Sequence, residues 1–184
     1  GDWDGDGIPD MAVGACWDDD GSSGAGAIYI IFLNSDGTVK AMTKISNSHG
    51  NLASFYTLDN NDRFGCSIAA IGDLNSDGVA DLAVGADFDD DGSSNAGALY
   101  ILFMTANVTV GGAQKIGDFW PSYIDLFDTE RFGGSIASIG DLDGDGISEL
   151  VVGATGDDDG SSSAGAVYVL FLSTSGAAVT VQKI

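Results

Sequence analysis

One segment of this chain is written three times, and no fold that ignores the repetition can accommodate it. Gly1-Asp-Trp-Asp-Gly-Asp-Gly-Ile-Pro-Asp-Met-Ala-Val-Gly-Ala15 returns as Gly72-Asp-Leu-Asn-Ser-Asp-Gly-Val-Ala-Asp-Leu-Ala-Val-Gly-Ala86. It returns again as Gly140-Asp-Leu-Asp-Gly-Asp-Gly-Ile-Ser-Glu-Leu-Val-Val-Gly-Ala154. The register then holds without a gap through Ile45, Ile116 and Ile184, and length varies only in the stretch leading to the next copy. A unit of this size cannot bury its own apolar surface and must stack on its neighbours. Residues 1–71 are read as a first repeat lacking its first strand, 72–139 as a second, and 140–184 as an incomplete third. Together they form one array, expected to be part of a larger propeller or assembly.

Each copy carries an oxygen side chain at the first, third, fifth and ninth places of a nine-residue stretch. A hard divalent cation takes six to eight oxygens at about 2.3–2.6 Å, and alternate residues of a tight loop can point inward together. The spacing predicts three calcium sites: Asp2, Asp4, Asp6 and Asp10; Asp73, Asn75, Asp77 and Asp81; and Asp141, Asp143, Asp145 and Glu149. The backbone carbonyls of Ile8, Val79 and Ile147 are expected to add one ligand each. Asp, Asn and Gly also form turns without any metal, but three copies in register favour the cation. An EF-hand would place Glu at the twelfth position and run into a helix; here Val13, Val84 and Val152 occupy it, inside short apolar runs closed by glycine. The loop therefore joins two strands.

The rest of each copy also reads as β-structure. Met11–Ala15 is followed by an Asp-Gly-Ser turn and by Ala27–Leu33, apolar on both faces. After an Asp36-Gly37 hairpin signal, Val39–Ile45 alternates like an edge strand. Arg63–Ile71 supplies the strand that enters the second loop. Central strands apolar on both faces need a sheet packed on each, and repeats of this kind stack around an axis as propeller blades do. The predicted class is all-β, with four-stranded β-propeller blades and calcium-binding hairpin loops.

The run from Phe64-Gly-Cys-Ser-Ile through Gly97-Ala-Leu-Tyr-Ile101 resembles an FG-GAP repeat of the integrin α-subunit propeller, as does Phe132-Gly-Gly-Ser-Ile136 through Gly165-Ala-Val-Tyr-Val169. The resemblance covers essentially the whole chain. It implies calcium bound by the Asp-rich hairpins on one face of a propeller, in agreement with the ligand spacing. Three departures stand out. Cys16, Asp87 and Thr155 replace the proline usual after Gly-Ala, Glu149 stands where Asp is expected, and the repeats are long for the family, like its long bacterial surface-protein version.

The formal charge of −22, with six Lys and Arg against 28 acids, makes nucleic acid an unsuitable partner. No apolar run approaches the ~18 residues of a membrane helix, so no membrane insertion is expected. Weak calcium loops suit the fluid outside cells, which places the protein at the cell surface or outside it. Gly1 is not an initiator methionine, so the chain is read as processed or as an excerpt. Cys16 and Cys66 are expected either to pair or to stay free.

The expected function is a non-enzymatic, calcium-binding module for cell-surface adhesion or extracellular structure. Its expected partners are further copies of the same repeat and a protein or glycan ligand. One alternative is a subunit of a self-assembling extracellular filament. Another is the propeller domain of a polysaccharide-acting enzyme, which would need an acid pair peculiar to one blade; the near-uniform repeats argue against it. The only histidine, His49, lies in the variable loop. The runs Asp18-Asp-Asp20, Asp89-Asp-Asp91 and Asp157-Asp-Asp159, each followed by Gly-Ser-Ser, read as solvated turns in preference to a second cation site. Phe64 and Phe132 are expected to pack blade on blade, and Arg63 and Arg131 to hold an acidic loop. Trp17 is a candidate for exposure, and Trp120-Pro121 falls in a linking loop.

Overall fold

The computed structural model describes residues 1–118, 124–161 and 164–184; Trp120, Pro121 and Ser162, singled out above, lie outside them. Strands β1 (Met11–Ala15), β2 (Ala27–Leu33) and β3 (Val39–Ile45) form a three-stranded sheet. Strands β4 (Ser67–Gly72), β5 (Asp81–Ala86), β6 (Ala98–Met104) and β7 (Val110–Gly117) form a four-stranded one. Strands β8 (Phe132–Gly140), β9 (Glu149–Ala154), β10 (Ala166–Leu172) and β11 (Ala178–Lys183) form the third. Every pairing is an antiparallel meander, and the described residues hold one 3₁₀ turn, Leu52–Ser54, and no α-helix. These are sheets of the kind that make β-propeller blades.

The sheets are phased one strand away from the sequence division at 71/72 and 139/140. Strand β4 hydrogen-bonds to β5, and β8 to β9, so each four-stranded sheet begins before its Asp-rich loop. The hairpin from the second to the third strand of each copy carries the same irregularity, at Phe32/Leu33, Phe103/Met104 and Phe171/Leu172.

The core lies in two layers between the sheets. Ile28, Ile30 and Phe32 of β2 meet Leu82, Val84 and Leu102 of the second sheet. Leu99 and Ile101, on its other face, meet Leu150, Val152 and Leu170 of the third. Because it is covered on both sides, β5 is buried along its whole length, whereas β1 is largely exposed. Phe64 and Phe132 are fully buried: each ring stands edge-on to a tyrosine of its own blade, Tyr100 at 5.4 Å and Tyr168 at 5.3 Å, and packs in the apolar layer shared with the preceding blade.

Backbone runs against backbone where one blade meets the next. Gly97 forms an isolated parallel bridge with Phe132, and Gly26 forms one with Phe64. At Gly85 a Cβ would lie 1.9 Å from the carbonyl oxygen of Gly133. Glycine at these positions thus lets whole peptide groups approach across the junction.

Candidate metal centres and the lysine clips

Each Asp-rich loop is shaped by its first acid. Asp2 accepts from the amides of Gly5 (2.9 Å), Asp6 (3.1 Å) and Gly7 (2.9 Å). Asp73 accepts from Asp77 and Gly78, and Asp141 from Gly144 and Gly146. The third-place side chains Asp4, Asn75 and Asp143 accept from the fifth-place amide. Fifth-place Asp6, Asp77 and Asp145 accept from the amides of Ile8, Val79 and Ile147. The loop is therefore organised by its own carboxylates, which face one another and repel.

The structure brings six of the twelve predicted side-chain ligands together in two groups. Carboxylate oxygens of Asp2, Asp4 and Asp6 lie within 4.8 Å of one another, as do those of Asp141, Asp143 and Glu149. In the second loop the Asn75 amide donates to Asp77 at 3.0 Å. The ninth-place acids have a different task in the first two copies. Asp10 is buried and accepts from Trp3 N and Leu33 N; Asp81, fully buried, accepts from Leu74 N and Met104 N. Both oxygens of each carboxylate thus tie the loop to the neighbouring strand. Glu149 keeps one such bond, to Leu142 N, and its Oε1 is buried without a hydrogen-bond partner. A buried acceptor left open beside two exposed carboxylates fits a hard cation, since such a group is otherwise costly. The departure from Asp thus frees an oxygen for a ligand.

The first loop has its own cation. The Lys40 ammonium donates to Asp4 at 2.8 Å and Asp6 at 2.7 Å, and this contact, with the Ile8 amide, holds the Asp6 carboxyl below its usual range. The counterpart in the second copy is Gly111.

The triple-Asp turns follow a rule that the sequence reading missed. Lys44 bridges Asp18 and Asp20, Lys115 bridges Asp89 and Asp91, and Lys183 bridges Asp157 and Asp159. Tyr29, Tyr100 and Tyr168 donate to the first acid of each pair. The ammonium takes the place a second cation would need, so these turns are closed clips. Their signal was available, because the three lysines stand at the same offset from the Asp run in every copy.

Burial grades the clips. In the outer copies burial would push Asp18 and Asp157 upward, but Lys44 and Lys183 prevail and hold both carboxyls below the usual range. In the middle copy burial prevails and Asp89 is pushed up. The Lys115 side chain is only 1% exposed. A further acid from the linking stretch joins this clip: Asp62 is 3% exposed, and burial with the Asp89 charge drives its carboxyl up to about 7, against the pull of Lys115. Glu130 repeats the arrangement beside Asp157 and Tyr168.

An acid whose folded pKa lies above its unfolded value of about 3.9 lowers stability as pH rises from that value to about 7. Asp62→Asn is therefore expected to raise Tm by about 5 °C at pH 8, by less at pH 5, and not at all at pH 3.5. Equal Tm for parent and variant at pH 8 would show that the buried charge carries no penalty.

Among the described residues Arg63 and Arg131 form no ion pair with an acidic loop and stack on rings instead. The Arg63 guanidinium lies over the Phe88 ring at 3.4 Å and over Trp17 at 4.2 Å, and Arg131 lies over Phe88 at 4.7 Å. Planar cations stack well on aromatic faces. Trp17 is 62% exposed, as anticipated, while Trp3 is buried and donates to Ala80 O across the first junction at 2.9 Å.

Comparison with known proteins gives a consistent picture. The family model of the FG-GAP repeat matches residues 64–102 and 132–170, beginning where the second and third sheets begin. The chain is similar to integrin alpha-PS5 of Drosophila melanogaster, 32% identical over 163 residues, covering 84% of this chain and 14% of that protein. It is similar to human integrin alpha-7, 29% identical over 157 residues, 83% of this chain and 11% of that protein. It is also similar to integrin alpha-5 of Xenopus laevis, 40% identical over 101 residues, 52% of this chain and 9% of that protein. The chain thus spans 14% or less of the length of these relatives.

Proposed function

We propose that this chain, which carries FG-GAP repeats at residues 64–102 and 132–170, serves as a calcium-stabilised, non-enzymatic module of an extracellular or cell-surface adhesion protein. Resemblance to integrin α-subunits supports the adhesive role, with a protein or glycan as ligand. No helix among the described residues is long and apolar enough to cross a membrane.

The observation that carries the calcium reading is the convergence of Asp141, Asp143 and Glu149, with a buried carboxylate oxygen left open among them. Asp145 and the Ile147 carbonyl complete that set. Asp2, Asp4 and Asp6 supply the first site with the Ile8 carbonyl, Lys40 having to withdraw. Asp73, Asn75, Asp77 and the Val79 carbonyl supply the second. Asp10 and Asp81 stand behind these two loops as their anchors and as further ligands. The ion supplies positive charge that lets clustered carboxylates close, so binding energy adds to folding energy.

The test is a thermal scan in millimolar calcium and then in chelator. At about a hundred times Kd one site adds about 2.7 kcal/mol, which is roughly 5–10 °C in Tm for a chain of this size. Asp141→Asn should remove the share of the third loop. A Tm indifferent to calcium would overturn the reading.

A second reading, a subunit of an extracellular filament, is favoured by the outer faces of the stack. Met11, 45% exposed, and Val13, 41% exposed, correspond to Leu82 and Val84, which the second sheet buries against the first. Val167, 40% exposed, corresponds to Leu99, buried against the third sheet. These two faces are the halves of a contact made twice within the chain, and a further copy of the repeat fits both. Light scattering on the samples of the thermal scan decides the matter. Large regular particles in calcium support it, and a persistent 18.7 kDa monomer removes it.

A further inference from the structure

We propose that Cys16 and Cys66 form a disulfide that staples the first sheet to the second. Both thiols are free and half-buried in the structure. They are the chain's only two cysteines, and they stand at one junction: Cys16 directly follows β1, and Cys66 directly precedes β4. The backbones are closely apposed there, since a Cβ on Gly14 would lie 1.8 Å from the Gly65 carbonyl oxygen. The Cys66 thiol has Cys16 and the Asp87 carboxylate as its electrostatic neighbours. The equivalent positions hold Asp87 and Thr155 for Cys16, and Gly134 for Cys66. Cysteine thus occurs at both halves of one contact and at neither half of the next. The inference does not depend on the calcium reading.

The bond forms by exchange with a small external disulfide such as oxidised glutathione. The Cys16 thiolate attacks one sulfur, and one glutathione thiolate leaves. Cys66 then attacks the mixed disulfide at the Cys16 sulfur and expels the second glutathione thiolate. The two cysteines lose two protons and two electrons, and the oxidised glutathione is reduced to two thiols. Burial, with the Asp87 carboxylate nearby, pushes the Cys66 thiol up, so the second step quickens as pH rises. A bond of this kind persists in an oxidising compartment. It closes a loop that holds β2, β3 and the linking stretch, and so restricts the unfolded chain.

The test is incubation of the native protein with oxidised glutathione, followed by intact-mass measurement and thiol counting in denaturant. A mass lower by two hydrogens, no titratable thiol and a Tm raised by roughly 8 °C or more are expected. Cys66→Ser should stop at a single glutathione adduct on Cys16. Two thiols that persist, adducts on both cysteines, or a disulfide-linked dimer on a non-reducing gel would each overturn the proposal. The wild-type measurement stands even if the variant does not fold.

Discussion

Lys115→Met is expected to destabilise the protein by about 3–5 kcal/mol, the loss typical when one partner of a buried ion pair is removed. The lysine side chain is 1% exposed and contacts Asp89 at 2.6 Å and Asp91 at 2.5 Å, with Asp62 close behind. Without the ammonium, buried Asp89 and Asp62 face one another with no cation between them, and only Tyr100 and the amides of Asp91 and Asp59 donate to them. They must then take up protons or admit water, and either loosens the centre of the stack. The corresponding Lys183→Met should be far milder, because that lysine is 30% exposed and water can replace it. Chemical denaturation of both variants at pH 7 measures the difference. Restoring stability in Lys115→Met by adding Asp89→Asn would show that the loss is electrostatic. Equal midpoints for parent and Lys115→Met would mean that the clip is incidental to the fold.

Gly97→Ala should leave no stably folded protein. Its φ of +87° strains any L side chain, and a Cβ there would sit 2.1 Å from the Phe132 carbonyl oxygen and 2.6 Å from its amide nitrogen. Neither atom can yield, because the Phe132 amide is bonded to Ala96 O and its ring is locked against Tyr168. Gly37→Ala provides the control. Its φ is +82°, with nothing within 4 Å of the built Cβ, so it should lose only the ~1–2 kcal/mol of backbone strain. Soluble yield and circular dichroism of the two variants separate steric conflict from strain. A folded Gly97→Ala would show that the blades can be separated at this junction.

What could be read directly from the sequence was local. The Asp-rich loops were legible because their chemistry sits at alternate residues. The fall of Asp2, Asp4 and Asp6 within 4.8 Å follows from that spacing and a tight turn. Strands such as Ala27–Leu33 were legible because an apolar, β-branched run has one comfortable backbone. Phe64 and Phe132 were assigned to the junction because they recur in register. The lysine clips are equally periodic, but their pairing was not legible, because each lysine lies on a strand apart from its triple-Asp turn and meets it only when the sheet has formed.

Recurrence told that the sequence is a stack of equivalent antiparallel units with acidic hairpin loops, and no tertiary information was needed for that. Recurrence alone could not tell where one sheet ends and the next begins, since a repeat read from any starting strand looks the same. The FG-GAP resemblance starting at Phe64 and Phe132 implied the phase, and the hydrogen bonds of β4 to β5 and of β8 to β9 have it. Nor could recurrence assign Asp10 and Asp81 to anchoring, Arg63 to the Phe88 ring, or Cys16 to Cys66. Each of those depends on which atoms meet when two blades close to backbone contact, and that geometry exists only once the sheets have packed.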